Sequence, residues 1–432
     1  MTPVPLTLPL RLSEAAEVAN LIFDLAERRP LTDDIRNRIA ARLVPLRLTS
    51  LTPYMGSLAR DPVHHSTYYV AVDVAAAEGP PQLLHMALAT APTSGVFHKP
   101  LLIGRVRRPS GPEVVVNAIP FGPSDVAAIE QYVSRVDNAF LPRPHASRGA
   151  TLTASADPGA AMAAVFDAFR KILKRTGRNL AILEMAPPAY DAALWAAVRA
   201  GWRDGYSAAV TIRAEESDRE TVREAARFTR FRIDAAGLVT DTAGWTDGAV
   251  DERFNLGFTA EERGWMVDEF VKSFDVGGTV YELTAPEVAR MAVRLGPALR
   301  ACERLHEWIR ETRSAMKAGK GFDFELALPR TSAKELLFCL HWLKVREHTA
   351  QSIDPGAIPQ AETEAALREF ASIGRQYGCL LTVNAVEGHT DELLEAIARA
   401  TLGRVNYRVS TGPRDAGDYA QYLNRIAEVL LG

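Results

Sequence analysis

The residues of this sequence best placed for chemistry are acids at the ends of β-branched or aromatic runs. Glu325 lies in Phe322-Asp-Phe-Glu-Leu-Ala-Leu328, where strand alternation puts Asp323 and Glu325 on one face. A carboxylate there can hold a divalent cation or move a proton at a carbon beside a carbonyl. The competing reading is an interior acid paired with Arg or Lys, because buried acids are usually paired. Asp234 ends Arg230-Phe-Arg-Ile-Asp234 and is either a ligand or base, or the acid that turns the chain after a strand. Arg213 ends another such run, and Asn384, Glu387 and His389 cluster after a third. Arg143, His145 and Arg148 fall in Leu141-Pro-Arg-Pro-His-Ala-Ser-Arg148. That loop either grips a carboxylate or phosphate through its arginines or is simply solvated.

Other candidates read as structure. Glu303 and His306 share a helix face at i, i+3, which is half of a di-iron arrangement without its second half; surface pairing is the plainer reading. His64, His65, His85, His98, His341 and His348 have no partner pattern. Gly277-Gly278 and Gly319-Lys-Gly321 are turn glycines. No G-x-S-x-G, Walker A or H-E-x-x-H motif occurs.

Elements must position these groups. From about 136 onward, strand-like runs alternate with helical ones: 151–155, 179–185, 208–213, 229–234, 322–328, 349–353, 379–385 and 404–410 are strands. Regular alternation argues for a parallel sheet with crossover helices, and eight such strands match a (β/α)8 barrel; an open doubly wound sheet is the runner-up. In a barrel, residues ending strands face the C-terminal mouth, which gathers Glu184, Arg213, Asp234, Glu325, Asp354 and Asn384. A largely helical insertion covers about 241–321. Thr259/Glu262, Thr284/Glu287 and Ser332/Glu335 have capping-box spacing and mark helix starts. Before the barrel, two amphipathic helices (13–27 and 33–43) and strands at 65–74, 82–88 and 114–119 indicate a small α+β domain. The expected division is therefore 1–134 and 135–432.

Composition excludes some functions. Of 432 residues, 50 are basic and 53 acidic, a net charge of −3 that is too balanced to imply a nucleic-acid or acidic-membrane partner. No apolar run approaches the ~18–20 residues of a transmembrane helix, and the proline-rich start does not read as a secretory signal. Cys302, Cys339 and Cys379 are odd in number and far apart, which suits buried thiols in a reducing, cytoplasmic setting.

The section from 137 to 410 resembles the tagaturonate epimerase family. The stretches that carry the resemblance are Trp195–Ser207 (WAAVRAGWRDGYS), Phe228–Asp234 (FTRFRID), Phe322-Asp-Phe-Glu325 and the closing Cys379–Ser410. The resemblance implies a barrel enzyme that interconverts tagaturonate and fructuronate, or the neutral ketohexoses, with a divalent metal. It also shows departures. The family's Asp- and His-bearing stretch after Gly-Tyr-Ser is here Ala208-Ala-Val-Thr-Ile-Arg213. Further acids after Phe-Asp-Phe-Glu are replaced by Ala327-Leu-Pro-Arg330, and Asn384 stands where the family has a ligand histidine. Of the implied metal ligands, Glu325 and Asp234 remain, enough to hold magnesium weakly but not a tight zinc or nickel site.

Three functions follow. The first is a homologue degenerate at the metal site that binds a sugar acid or ketose or a protein partner, as a homo-oligomer or with an active paralogue. The second is an active isomerase with a rearranged site. Its catalytic groups are Glu325, Asp234 and His389, and its substrate contacts are Arg143, His145, Arg148, Arg213, Asn384 and Glu387. The third is a scaffold that uses the helical insertion. The first is favoured, because the ligand-bearing stretches changed while barrel-packing residues stayed.

Overall fold

The computed structural model describes residues 12–26, 29–61, 66–73, 83–89, 101–107, 113–121, 132–134, 136–145, 149–155, 161–319, 321–356, 363–384, 390–409 and 416–431. The chain forms two compact units, Met1–Leu141 with Asp191–Gly205, and Pro142–Tyr190 with Tyr206–Gly432. This partition differs from a cut at 134/135, because 135–141 and 191–205 group with the first unit.

The first unit carries helices Leu12–Ala26 and Asp33–Leu43 and five strands: β1 (Leu51–Asp61), β2 (Ser66–Asp73), β3 (Leu83–Ala89), β4 (Leu101–Val106) and β5 (Val114–Phe121). They form one antiparallel sheet in the order β1-β2-β3-β5-β4. Val18, Ile22, Ile35 and Ile39 of the helices pack with Leu51, Leu58, Tyr69, Val114 and Val116 of the sheet. Glu14 is a buried carboxylate at the edge of this core. Its carboxylate accepts hydrogen bonds from the Thr49 and Ser50 amides and from both hydroxyls, at 2.7–3.0 Å. Desolvation pushes its pKa up, but the four donors outweigh it and hold the carboxyl at about 2.

β1 was not expected as a strand, and Gly56 explains part of its form. A Cβ at Gly56 would lie 2.7 Å from the Gly201 Cα, so two backbones touch where neither residue has a side chain. Gly201 itself has φ +66, a left-handed conformation that ends helix Tyr190–Ala200. Arg203 seals this contact: it donates to the Gly56 carbonyl, to the Leu58 carbonyl at 3.2 Å and to Asp137 at 2.9 Å.

The second unit contains a closed parallel barrel of β6 (Thr151–Ser155), β7 (Ala181–Glu184), β8 (Ser207–Arg213), β9 (Arg230–Asp234), β12 (Asp323–Ala327), β13 (Ser352–Asp354), β14 (Leu380–Asn384) and β15 (Val405–Val409). This is the (β/α)8 architecture expected from the alternation. Outward positions such as Leu152, Leu183, Val210, Phe231, Ile233, Phe324, Leu326, Ile353 and Leu381 are buried and apolar, the period-2 pattern that lays a strand beneath helices.

The insertion between β9 and β12 is not wholly helical. Helices Asp247–Gly257, Ala260–Phe270 and Ala285–Ala315 enclose a hairpin of β10 (Ser273–Val276) and β11 (Thr279–Glu282). Gly277 and Gly278 have φ +61 and +87, the pair of positive values that a two-residue turn of this kind requires. The three expected capping boxes form. Glu262, Glu287 and Glu335 accept from the Thr259, Thr284 and Ser332 amides at 2.7–2.9 Å.

Candidate functional site

The barrel interior is polar. Alternation turns Arg230 and Arg232 of β9, Glu325 of β12, Ser352 and Asp354 of β13, Asn384 of β14, Asn406 and Arg408 of β15, Glu184 of β7 and Thr211 of β8 inward. Cross-barrel bonds confirm this. Arg230 donates to Glu325 and, at 2.6 Å, to the Ser352 hydroxyl. Ser352 donates to Glu325 Oε2 at 2.9 Å, and Asn406 donates to the same oxygen at 3.3 Å. Arg232 Nε lies 3.3 Å from Glu325 Oε1, and its Nη2 donates to Asp354 at 2.7 Å.

Nearer the mouth the chain of bonds continues. Asn384 donates to Asp354 at 2.8 Å and accepts from Arg408 at 3.3 Å. Arg408 grips both oxygens of Glu184, at 2.6 and 2.8 Å, and Thr211 donates to Glu184 at 2.5 Å. Thr151 and Thr153 of β6 join through Asn406, donating to its Oδ1 at 3.0 and 2.9 Å. Two hydrogen-bonded clusters, joined by the Arg232–Glu325 ion pair, therefore touch every strand of the barrel.

The electrostatics follow from the pairing. Glu325 and Arg230 are each only 1% exposed, so neither charge is tolerable alone. Burial pushes the Glu325 carboxyl up, but Arg230 and Arg232 beside it hold it below the usual carboxylate range. Burial likewise lowers Arg232, and Glu325 and Asp354 more than restore it. Three guanidiniums (Arg230, Arg232, Arg408) face three carboxylates (Glu325, Asp354, Glu184), so the charges of this network balance.

The structure brings some of the sequence candidates together. Glu325 and Asn384 belong to the network. Arg213 and Asp234 are register partners at the C-terminal strand ends. Arg213 makes only an exposed 3.4 Å pair with Glu216. The Asp234 carboxylate accepts from the Ala236 amide at 3.2 Å, as an acid that turns the chain would. Arg143 and His145 lie elsewhere. The His145 amide donates at 2.7 Å to Asp323, the first residue of β12, which places this loop at the N-terminal end of the barrel, away from the mouth. Arg143 is exposed. Arg148, Glu387 and His389 lie outside the described residues. Glu303 accepts from the Trp342 indole at 2.7 Å and does not act with His306 as a ligand pair.

Arg232, Asp354, Arg408 and Glu184 complete the site. Glu184 and Asp354 were visible as strand-end acids. Arg232 was not singled out by the sequence; the signal that could have found it is the alternation in Arg230-Phe-Arg-Ile-Asp234, which puts both arginines on one face.

Among the described residues, the donor set does not fit a divalent metal. A cation needs several free carboxylate or imidazole donors. Here Glu325, Asp354 and Glu184 each already bind a guanidinium, which a metal ion would have to displace and then sit beside. Among the described residues, no group of three or more His, Cys, Asp or Glu side chains is placed to hold an ion.

Comparison with solved structures gives the same architecture. The chain is similar in fold to an epimerase. The native structure of the fructuronate-tagaturonate epimerase UxaE from Cohnella laeviribosi matches with a TM-score of 0.62 at 15% identity, covering 92% of this chain and 89% of that one. Its one-glycerol complex matches at 0.62 and 16% identity, covering 91% and 89%. No family model matches the chain, and neither does any curated protein sequence. No helix among the described residues is long and apolar enough to cross a membrane.

Proposed function

We propose that this chain is a sugar-acid- or ketose-binding homologue of the epimerase barrels, carrying an ion-pair network where the family resemblance implies a metal centre. The observation that carries this reading is the continuous chain Thr211–Glu184–Arg408–Asn384–Asp354–Arg232–Glu325 across the barrel interior. Asn384 fits the network because its amide donates to a carboxylate and accepts from a guanidinium at once, without adding charge. A neutral array of alternating donors and acceptors suits the hydroxyls of a sugar, each of which both donates and accepts. The acid group of a sugar acid would go to Arg213, whose exposed pair with Glu216 holds it only weakly.

Calorimetric titration tests this with fructuronate, tagaturonate and a neutral ketohexose, each in chelator and again after loading with manganese, nickel, zinc or magnesium. The expected result is saturable binding in chelator. Arg213→Ala should weaken the two acids about tenfold, equivalent to ~1.4 kcal/mol, and leave the ketose unchanged. Solvent deuterium incorporated into any of these sugars after metal loading would favour the active isomerase instead. No binding of any of the three would overturn the reading.

A further inference from the structure

Away from the mouth, two histidines that sequence spacing left apart face each other. His306 lies on helix Ala285–Ala315, and His348 lies between helix Ala333–Val345 and β13. Their Nδ1 atoms are 3.2 Å apart, with ring centroids 5.0 Å apart and planes at 64°. Phe322 and Phe324 each stand 5.1 Å from the His306 ring and fix its orientation.

Two readings of this geometry differ measurably. A linear N–H···N bond of this length would set the centroids about 5.5 Å apart, from ring size and hydrogen-bond direction alone. A tetrahedral ion about 2.0–2.1 Å from each nitrogen sets the nitrogens about 3.3 Å and the centroids about 5.2 Å apart. The observed centroid separation is nearer the second arrangement. Burial, then His348 and Arg310, hold the His306 pKa down at about 4, so this imidazole is an available ligand at neutral pH.

We propose that His306 and His348 bind one divalent transition-metal ion through their Nδ1 atoms. Imidazole pairs select zinc, copper or nickel over magnesium or calcium. Both rings are half-buried, so an ion can enter from solvent and keep water on its remaining positions. His348 precedes β13 and Phe322 precedes β12, so the site lies at the N-terminal strand ends and is independent of the proposed sugar site. Its effect is a clip: the ion closes the chain between 306 and 348 and ties the long helix to the segment entering β13.

The test uses the full chain, stripped by chelator and titrated with zinc and with nickel. One ion per chain is expected. His306→Gln and His348→Gln should each weaken binding at least tenfold, while His341→Gln should not. Far-UV circular dichroism checks that the variants fold. A second measurement needs no variant: zinc should protect His306 and His348 from diethyl pyrocarbonate, read by mass spectrometry. No saturable binding, binding unchanged in both variants, or equal modification with and without zinc would each overturn the proposal.

Discussion

Removing the Glu325 carboxylate leaves Arg230 buried without its anion. Breaking a buried pair this way costs about 3–5 kcal/mol, because the surviving charge is uncompensated. Glu325→Ala should therefore lower the urea midpoint strongly whether or not metal is present. Removing both charges, as in Glu325→Leu with Arg230→Met, should be less damaging than Glu325→Ala alone. A Glu325→Ala chain as stable as the wild type would contradict the pairing. At this scale the sequence was half legible. The position of Glu325 and its two candidate roles followed from alternation; the inward aim of Arg230 and Arg232 is a finding of the structure. Which acid meets which guanidinium did not follow from alternation, because β9, β12 and β13 bring together residues as far apart as Arg232 and Asp354. The placement of His145 was not legible for a related reason. A Pro-bounded loop says nothing about which end of a barrel it closes.

Elements were read well where pattern and local chemistry agreed. All eight barrel strands fell close to their expected spans, and the capping boxes fixed three helix starts. Ser332→Ala should lower stability by about 0.5–2 kcal/mol, since the hydroxyl accepts from the Glu335 amide at 3.3 Å; thermal denaturation measures it. Two of the missed strands, β1 and β4, break a pattern rule. β1 contains Pro53 and Gly56, and its register against β2 shifts between Tyr54 and Ala59. β4 contains Gly104 at a shift against β5. In both, the irregularity that hides the strand is a feature of its pairing. Gly56 also serves packing, so Gly56→Ala should cost about 1–3 kcal/mol, since either backbone must move. An unchanged melting temperature would mean that the Gly56–Gly201 contact opens freely. The hairpin at 273–282 differs from the helical insertion expected, although Gly-Gly between two short alternating runs is a hairpin signal.

Over the whole molecule, the two units should lose stability in acid over different ranges. In the second unit, burial lowers His306 from its ordinary 6.5 to about 4. Burial, with Lys272 nearby, also lowers His341. Below pH 6.5 the unfolded chain takes up protons that these folded imidazoles refuse. Stability therefore falls as pH drops from 6.5 toward 4. In the first unit, Glu14 is held at about 2 against an ordinary 4.5. Its contribution is complete above pH 4.5 and is lost as pH falls from there toward 2. The lowered Glu325 carboxyl acts in the same direction in the second unit, also below 4.5. Hydrogen exchange followed from pH 7 to pH 3 in the presence of chelator should thus show protection weakening first around helix 285–315. Weakening around 12–26 and β1 should follow only below about pH 4.5. His306→Gln should flatten the first change without touching the second. Glu14→Gln should lower protection of the first unit at neutral pH and remove most of its acid sensitivity. Simultaneous loss of protection in both units at one pH would mean that neither group sets the response.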